Sequence, residues 1–144
     1  MMKKTLLSVL FLAGILFLPS ERADASNFVE VYRNDNNYHI YIDSTSIEDK
    51  GDYLLVWEKY IPQTVEMEKK KREYGQKYSH MLVQEAFKKK HRELQSLWII
   101  DYATDGSVIN QTRRPYSVSG YEQVVPNSIG DVLWDAVMRL SGNS

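Results

Sequence analysis

Tyr78-Ser79-His80-Met81-Leu82-Val83-Gln84-Glu85-Ala86-Phe87 and, after a basic stretch, Leu94-Gln95-Ser96-Leu97-Trp98-Ile99-Ile100-Asp101-Tyr102-Ala103 decide the fold class. In the first run Met81, Val83 and Phe87 fall on one side and Leu82 and Ala86 on the other. That is the period of a strand, not of a helix. The second run is dense in the β-branched and aromatic residues that suit a pleated surface. The two runs predict a long hairpin. Asp105-Gly106 then gives a two-residue turn signal, so Ser107–Thr112 is expected to return beside the second run.

Upstream, Phe28–Tyr32 alternates until Asn34-Asp35-Asn36-Asn37, four turn-favouring residues, and Tyr38–Asp43 alternates again. Ser44-Thr45-Ser46 predicts a turn or a single helical turn before Ile47. Tyr53–Ile61 puts Leu55 and Trp57 on one face and Leu54, Val56 and Tyr60 on the other, until Pro62 interrupts it. Between Pro62 and Lys77 the composition turns to Glu and Lys. Glu66 with Lys70 and Glu68 with Arg72 are spaced as on the exposed side of a short helix, a solvated excursion. Downstream, Ser128 and Asp131 form a capping pair, Ile129, Leu133, Ala136, Val137 and Leu140 recur at helical spacing, and Gly142 ends the helix. The class is α+β: an antiparallel sheet of about six strands with the C-terminal helix packed on one face. Trp57, Trp98 and Trp134 each sit in apolar periodicity and are expected in the core.

The N-terminus has a different grammar. Met1-Met2-Lys3-Lys4 is basic, residues 6–18 are nearly unbroken apolar, and Ala23-Asp24-Ala25 is a small-x-small box before Ser26. As a helix the apolar run would span roughly 20 Å, short of the ~30 Å bilayer core. Residues 1–25 therefore predict a signal peptide and residues 26–144 one exported domain, destined for periplasm, cell surface or medium. The chain has no cysteine, so it offers no thiol for a lipid anchor and no disulfide.

Residues 1–25 hold three of the 18 basic and two of the 19 acidic residues, leaving 15 against 17. That balance creates no global field for nucleic acid or anionic lipid. A polyanion site would have to be a local patch. The candidates are Lys69, Lys70, Lys71, Arg72 and Lys77 in the excursion, Lys88, Lys89, Lys90 and Arg92 with His91 at the hairpin end, and Arg113 with Arg114. They form one patch if the excursion folds back over the hairpin end. Glu66, Glu68, Glu73 and Glu93 are interleaved with them, as on an ordinary solvated surface.

Catalytic signatures are missing. There is no Gly-x-Ser-x-Gly elbow, no His-Glu-x-x-His and no cysteine nucleophile. Asp43 beside Ser44 and Ser46 fits backbone hydrogen bonding at a strand exit better than an acid and an activated hydroxyl. His39, His80 and His91 lack partners at metal-ligand spacing, so neither metal nor cofactor is expected.

Several strings resemble the bacterial surface-adhesin protein E family: Phe28-Val29-Glu30-Val31-Tyr32-Arg33, Tyr41-Ile42-Asp43-Ser44-Thr45-Ser46-Ile47, Val56-Trp57 and Val124-Val125-Pro126-Asn127-Ser128-Ile129-Gly130-Asp131. The resemblance spans essentially all of 28–140. It implies a binding domain for host matrix or serum proteins; taken with the missing catalytic signatures and the basic runs, the expectation is a non-catalytic domain whose partner is a host or envelope protein or a polyanionic glycan. The alternative expectation, from a different class, is an envelope structural or assembly factor that binds another exported protein through an unpaired sheet edge. Many family members carry one cysteine in the strand that here reads Gln84-Glu85-Ala86-Phe87 and another where this chain has Val137-Met138; both are missing together. An apolar contact between Ala86 or Phe87 and Val137 or Met138 is expected in their place.

Overall fold

The computed structural model describes residues 26–143. The expected signal peptide, 1–25, lies outside the described residues. The elements run β1 (Phe28–Arg33), β2 (Tyr38–Asp43), a 3-10 turn at Ser44–Ser46, β3 (Glu48–Asp49), β4 (Tyr53–Pro62), α1 (Thr64–Tyr74), β5 (Tyr78–Lys88), β6 (Glu93–Ala103), β7 (Val108–Arg113), β8 (Glu122–Gln123) and α2 (Ile129–Ser141). Six strands form an antiparallel meander in the order β1-β2-β4-β5-β6-β7. Two-residue β3 pairs with β4 and two-residue β8 with β6. The fold is α+β, as the sequence predicts.

Register assigns each strand residue to a face, because paired residues in an antiparallel ladder point the same way. Ile40 lies opposite Tyr60, Ile42 opposite Glu58, Leu54 opposite Phe87 and Val56 opposite Glu85. On this face Ile40, Ile42, Leu54, Val56 and Phe87 form a buried cluster with Leu133, Ala136, Val137 and Met138 of α2. Burying one such side chain contributes about 1.5–3 kcal/mol. Phe87 thus shares the buried cluster with Val137 and Met138, while Ala86, fully buried, belongs to the opposite face.

Helix α2 is held at both ends. Ser128 Oγ accepts from Asp131 N at 3.3 Å, and the Asp131 carboxylate accepts from Asn127 N at 3.0 Å. At the other end Gly142 adopts φ 81°, which a side chain disfavours, and Asn143 N reaches Met138 O at 2.8 Å. Helix α1 has no buried residue. Its anchors are polar: Thr64 Oγ1 donates to Asp35 O at 2.8 Å and Tyr38 OH to Glu66 Oε2 at 3.4 Å.

The tryptophans divide. Trp134 packs against the core cluster, but Trp57 and Trp98 are half-buried on the face away from it, their rings 5.5 Å apart. The expectation of three core tryptophans fails because the central strands are apolar on both faces. Alternation separates two faces without saying which one a helix covers.

Candidate functional site: the aromatic and lysine recess at the hairpin end

Strand β5 separates the basic runs. The α1 cluster of Lys69, Lys70, Lys71 and Arg72, with Lys77, adjoins its first residue; Lys88 is its last, and Lys89, Lys90 and Arg92 follow. An eleven-residue strand spans about 33 Å. The excursion does not fold back over the hairpin end, so the two runs make no common patch. Helix α1 closes at Gly75, whose N–H bonds Lys71 O at 2.9 Å, and Tyr78 N bonds Gly75 O at 3.2 Å, which keeps the helix at the start of β5.

The α1 charges are mostly spent locally. Lys69 pairs with Glu66 at 3.2 Å and Arg72 with Glu68 at 3.9 Å. Lys70 Nζ lies 5.4 Å from the Tyr74 ring centroid and 5.8 Å from that of Tyr78, not against Glu66 four residues before it. Such exposed pairs contribute little.

The hairpin end is built differently. Residues 114–121 fold back over the start of β4 and the end of β5. Tyr53 stacks on Tyr116 with centroids 4.5 Å apart, Tyr121 meets Tyr116 edge-on at 5.9 Å, and Tyr121 OH donates to Tyr116 OH at 3.2 Å. Gln95 ties the segment down: its Nε2 donates to Ser117 O at 2.9 Å. Gly120 passes so close that a Cβ there would sit 2.8 Å from Gln95 Oε1. Burial, then the Tyr116 hydroxyl, pushes the Tyr121 phenol well above its ordinary pKa.

Between this segment and the loop after β5 lies a recess of about 280 Å³. Tyr116, Val118 and Tyr121 line one side; Lys88, Lys89, Lys90 and His91 line the other, with Gly51 and Asp52 at the end. Lys88 Nζ sits 4.7 Å over the Tyr121 ring and 3.2 Å from Glu93. Lys89 pairs with Asp49 at 2.6 Å, and this contact, with the Gly51 N–H, holds the Asp49 carboxyl below its usual range. Lys90 and His91 are exposed, and none of the ion pairs among the described residues uses them.

Arg92 leaves the candidate patch. Its guanidinium pairs with Asp131 and with Asp135, the latter at 3.0 Å, and stacks 4.4 Å over Trp134. Trp134 Nε1 in turn donates to Lys88 O at 2.9 Å. Arg92 therefore fastens the hairpin end to α2. Arg113 lies 4.2 Å over Trp98 on the face away from α2. Arg114 borders a separate recess of about 210 Å³ that Gln95, Ser117 and Gly120 also line. The sequence reading missed the tyrosine wall, because Pro115–Tyr121 has no periodicity; its only signal was two tyrosines in a Pro- and Gly-punctuated loop.

The histidines stay apart. His39 bonds Asp35 at 2.7 Å, His80 stacks on Tyr102 at 5.1 Å, and His91 borders the recess. Among the described residues no group of three or more His, Cys, Asp or Glu is placed to hold a metal. Asp43 Oδ1 accepts from Asn27 N, Thr45 N and Thr45 Oγ1, while Ser46 Oγ bonds Asp43 O and Trp57 N. Those groups shape a strand exit. What the recess can do chemically is hold a ligand by ring contact and positive charge.

Among the described residues no helix is long and apolar enough to cross a membrane. No curated protein and no solved structure matches the chain. The family model of surface-adhesin protein E does match, over residues 28–137, which takes in every strand and most of α2. The chain belongs to the surface-adhesin protein E family.

Proposed function

We propose that this chain is an exported, non-catalytic binding domain and that the hairpin-end recess takes an anionic sugar unit of a polyanionic glycan. One observation carries the reading: three lysines and two tyrosines line a single cavity of about 280 Å³. Tyrosine rings offer flat apolar faces to a sugar ring, and lysines offer mobile donors to a sulfate or carboxylate. Lys88 and Lys89 can exchange Glu93 and Asp49 for ligand oxygens, and Lys90 is already exposed. Titration calorimetry with a sulfated oligosaccharide tests it. Lys90→Glu combined with Tyr121→Ala should weaken binding by about tenfold or more, and affinity should fall with salt. Unchanged affinity in that variant overturns the reading.

A second reading rests on β7. Val108–Arg113 forms an outer edge, is almost wholly exposed and carries no charge before Arg113, whereas the opposite edge, β1, has a bulge and the Glu30–Arg33 pair. Edges of the first kind accept a partner's strand, as in an assembly factor for another exported protein. Such binding would be insensitive to salt. Export itself is tested by mass spectrometry of the secreted material, with Ser26 expected as the first residue.

A further inference from the structure

Two carboxyl groups lie inside the sheet with no cation to answer them. Glu58 on β4 and Glu85 on β5 are 0% and 4% exposed. Glu58 is opposite Val83 and Glu85 opposite Val56, so they are diagonal neighbours on the face that α2 covers. Tyr60 OH donates to Glu58 Oε1 at 3.0 Å, and Ser96 Oγ donates to Glu85 Oε2 at 2.8 Å. Glu58 Oε2 is fully buried and has no partner.

The surroundings are acidic or phenolic. Tyr60 of β4 faces the pair, and Tyr38 of β2 meets the Tyr60 ring edge-on at 5.8 Å; Asp101 of β6 accepts from the Tyr78 hydroxyl at 2.5 Å; α1 adds Glu66 and Glu73 further out. From α2 the buried residues are Leu133, Ala136, Val137 and Met138, while Asp131 and Asp135 turn to Arg92 and Arg139 is exposed. On β1, Glu30 and Arg33 pair with each other. Lys59 belongs to the opposite face, since it pairs with Leu82. No ion pair among the described residues reaches Glu58 or Glu85. Two ionised carboxylates buried side by side without a cation are not sustainable.

We propose that Glu58 and Glu85 hold one proton between them at neutral pH, carried on Glu58 Oε2 and donated to Glu85, and that this pair makes the fold tighter in mildly acidic than in alkaline medium. The proton turns the orphaned oxygen into a donor toward Glu85, whose Oε2 already accepts from the Ser96 hydroxyl. Burial first, then the Glu85 charge, raises the Glu58 carboxyl well above its ordinary value. The sign follows. Below about pH 4.5 both folded and unfolded chains hold the proton, and the full contribution of this pair to stability is present. Above it the unfolded chain releases the proton while the folded one keeps it, so stability falls until the pH passes the raised pKa.

Denaturant unfolding of the protein across pH 5 to 9 tests this. In wild type the folding equilibrium constant should fall by up to about tenfold per pH unit over part of that range. Glu58→Gln keeps a donor toward Glu85 without a titrating proton, and should flatten the dependence and exceed wild type at the alkaline end. Glu66→Gln, on α1, should keep the wild-type slope. A wild type with no pH dependence, or Glu58→Gln with the wild-type slope, overturns the proposal. Should Glu58→Gln not fold, carbon NMR of wild-type glutamate carboxyls decides: one protonated carboxyl at neutral pH supports the pair, and full ionisation overturns it.

Discussion

The two ends of β5 are both rich in lysine and have been put to different uses. At its start, α1 carries charges that pair with one another, and it buries nothing. At its end, Arg92 and Trp134 bind the loop to α2 while Tyr116 and Tyr121 stand over Lys88 and its neighbours. The difference lies in what packs against each run, not in its charge. A basic run lines a recess where other elements give it walls.

The sharpest way to break this comparison is to loosen one end at a time. Trp134→Ala should cost about 3 kcal/mol in denaturant unfolding, since it removes a large ring packed on the core together with its bond to Lys88 O. Val65→Ala on α1, at a side chain 49% exposed, should cost less than about 0.5 kcal/mol. Equal losses would mean that α1 is as integral as α2.

Acid gives a finer cut. The Asn127 N–H, then Arg92, hold the Asp131 carboxyl below its usual range. A depressed carboxyl contributes stability above the unfolded value near pH 3.8 that is lost as pH falls through the folded one. Denaturant midpoints compared at about pH 6 and about pH 3 should drop more for wild type than for Asp131→Asn. A drop of the same size in both would detach Asp131 from the stability of the hairpin end.

The smallest expected effect is at α1 itself. Lys71→Ala and Lys77→Ala should shift stability by no more than about 0.5 kcal/mol each and leave ligand affinity unchanged. A measurable loss of affinity in either would bring the α1 run back into the site.

The long strands, the Asp105-Gly106 turn and the capped helix were legible because each has a period or a terminal signal: alternation, two turn residues, Ser128 and Gly142. Strands β3 and β8 were not, since two residues carry no period. Nor were the bulges, where Leu97 and Ser79 stand as single insertions between paired neighbours. Of the site, the lysines could be read and their walls could not, because Tyr116 and Tyr121 arrive on an irregular segment held by Gln95. The inward positions of Glu58 and Glu85 left one trace, a charged residue in step with apolar ones on the same strand face.

The walled lysine run should bind and the unwalled one should not. Calorimetric titration with one sulfated oligosaccharide of Lys88→Gln/Lys90→Gln and, in parallel, of Lys69→Gln/Lys71→Gln tests it most directly, each variant losing two positive charges. The first pair should lose about tenfold or more in affinity, and the second should keep wild-type affinity. Equal losses in the two would contradict it, because charge alone, without the tyrosine wall, would then explain binding.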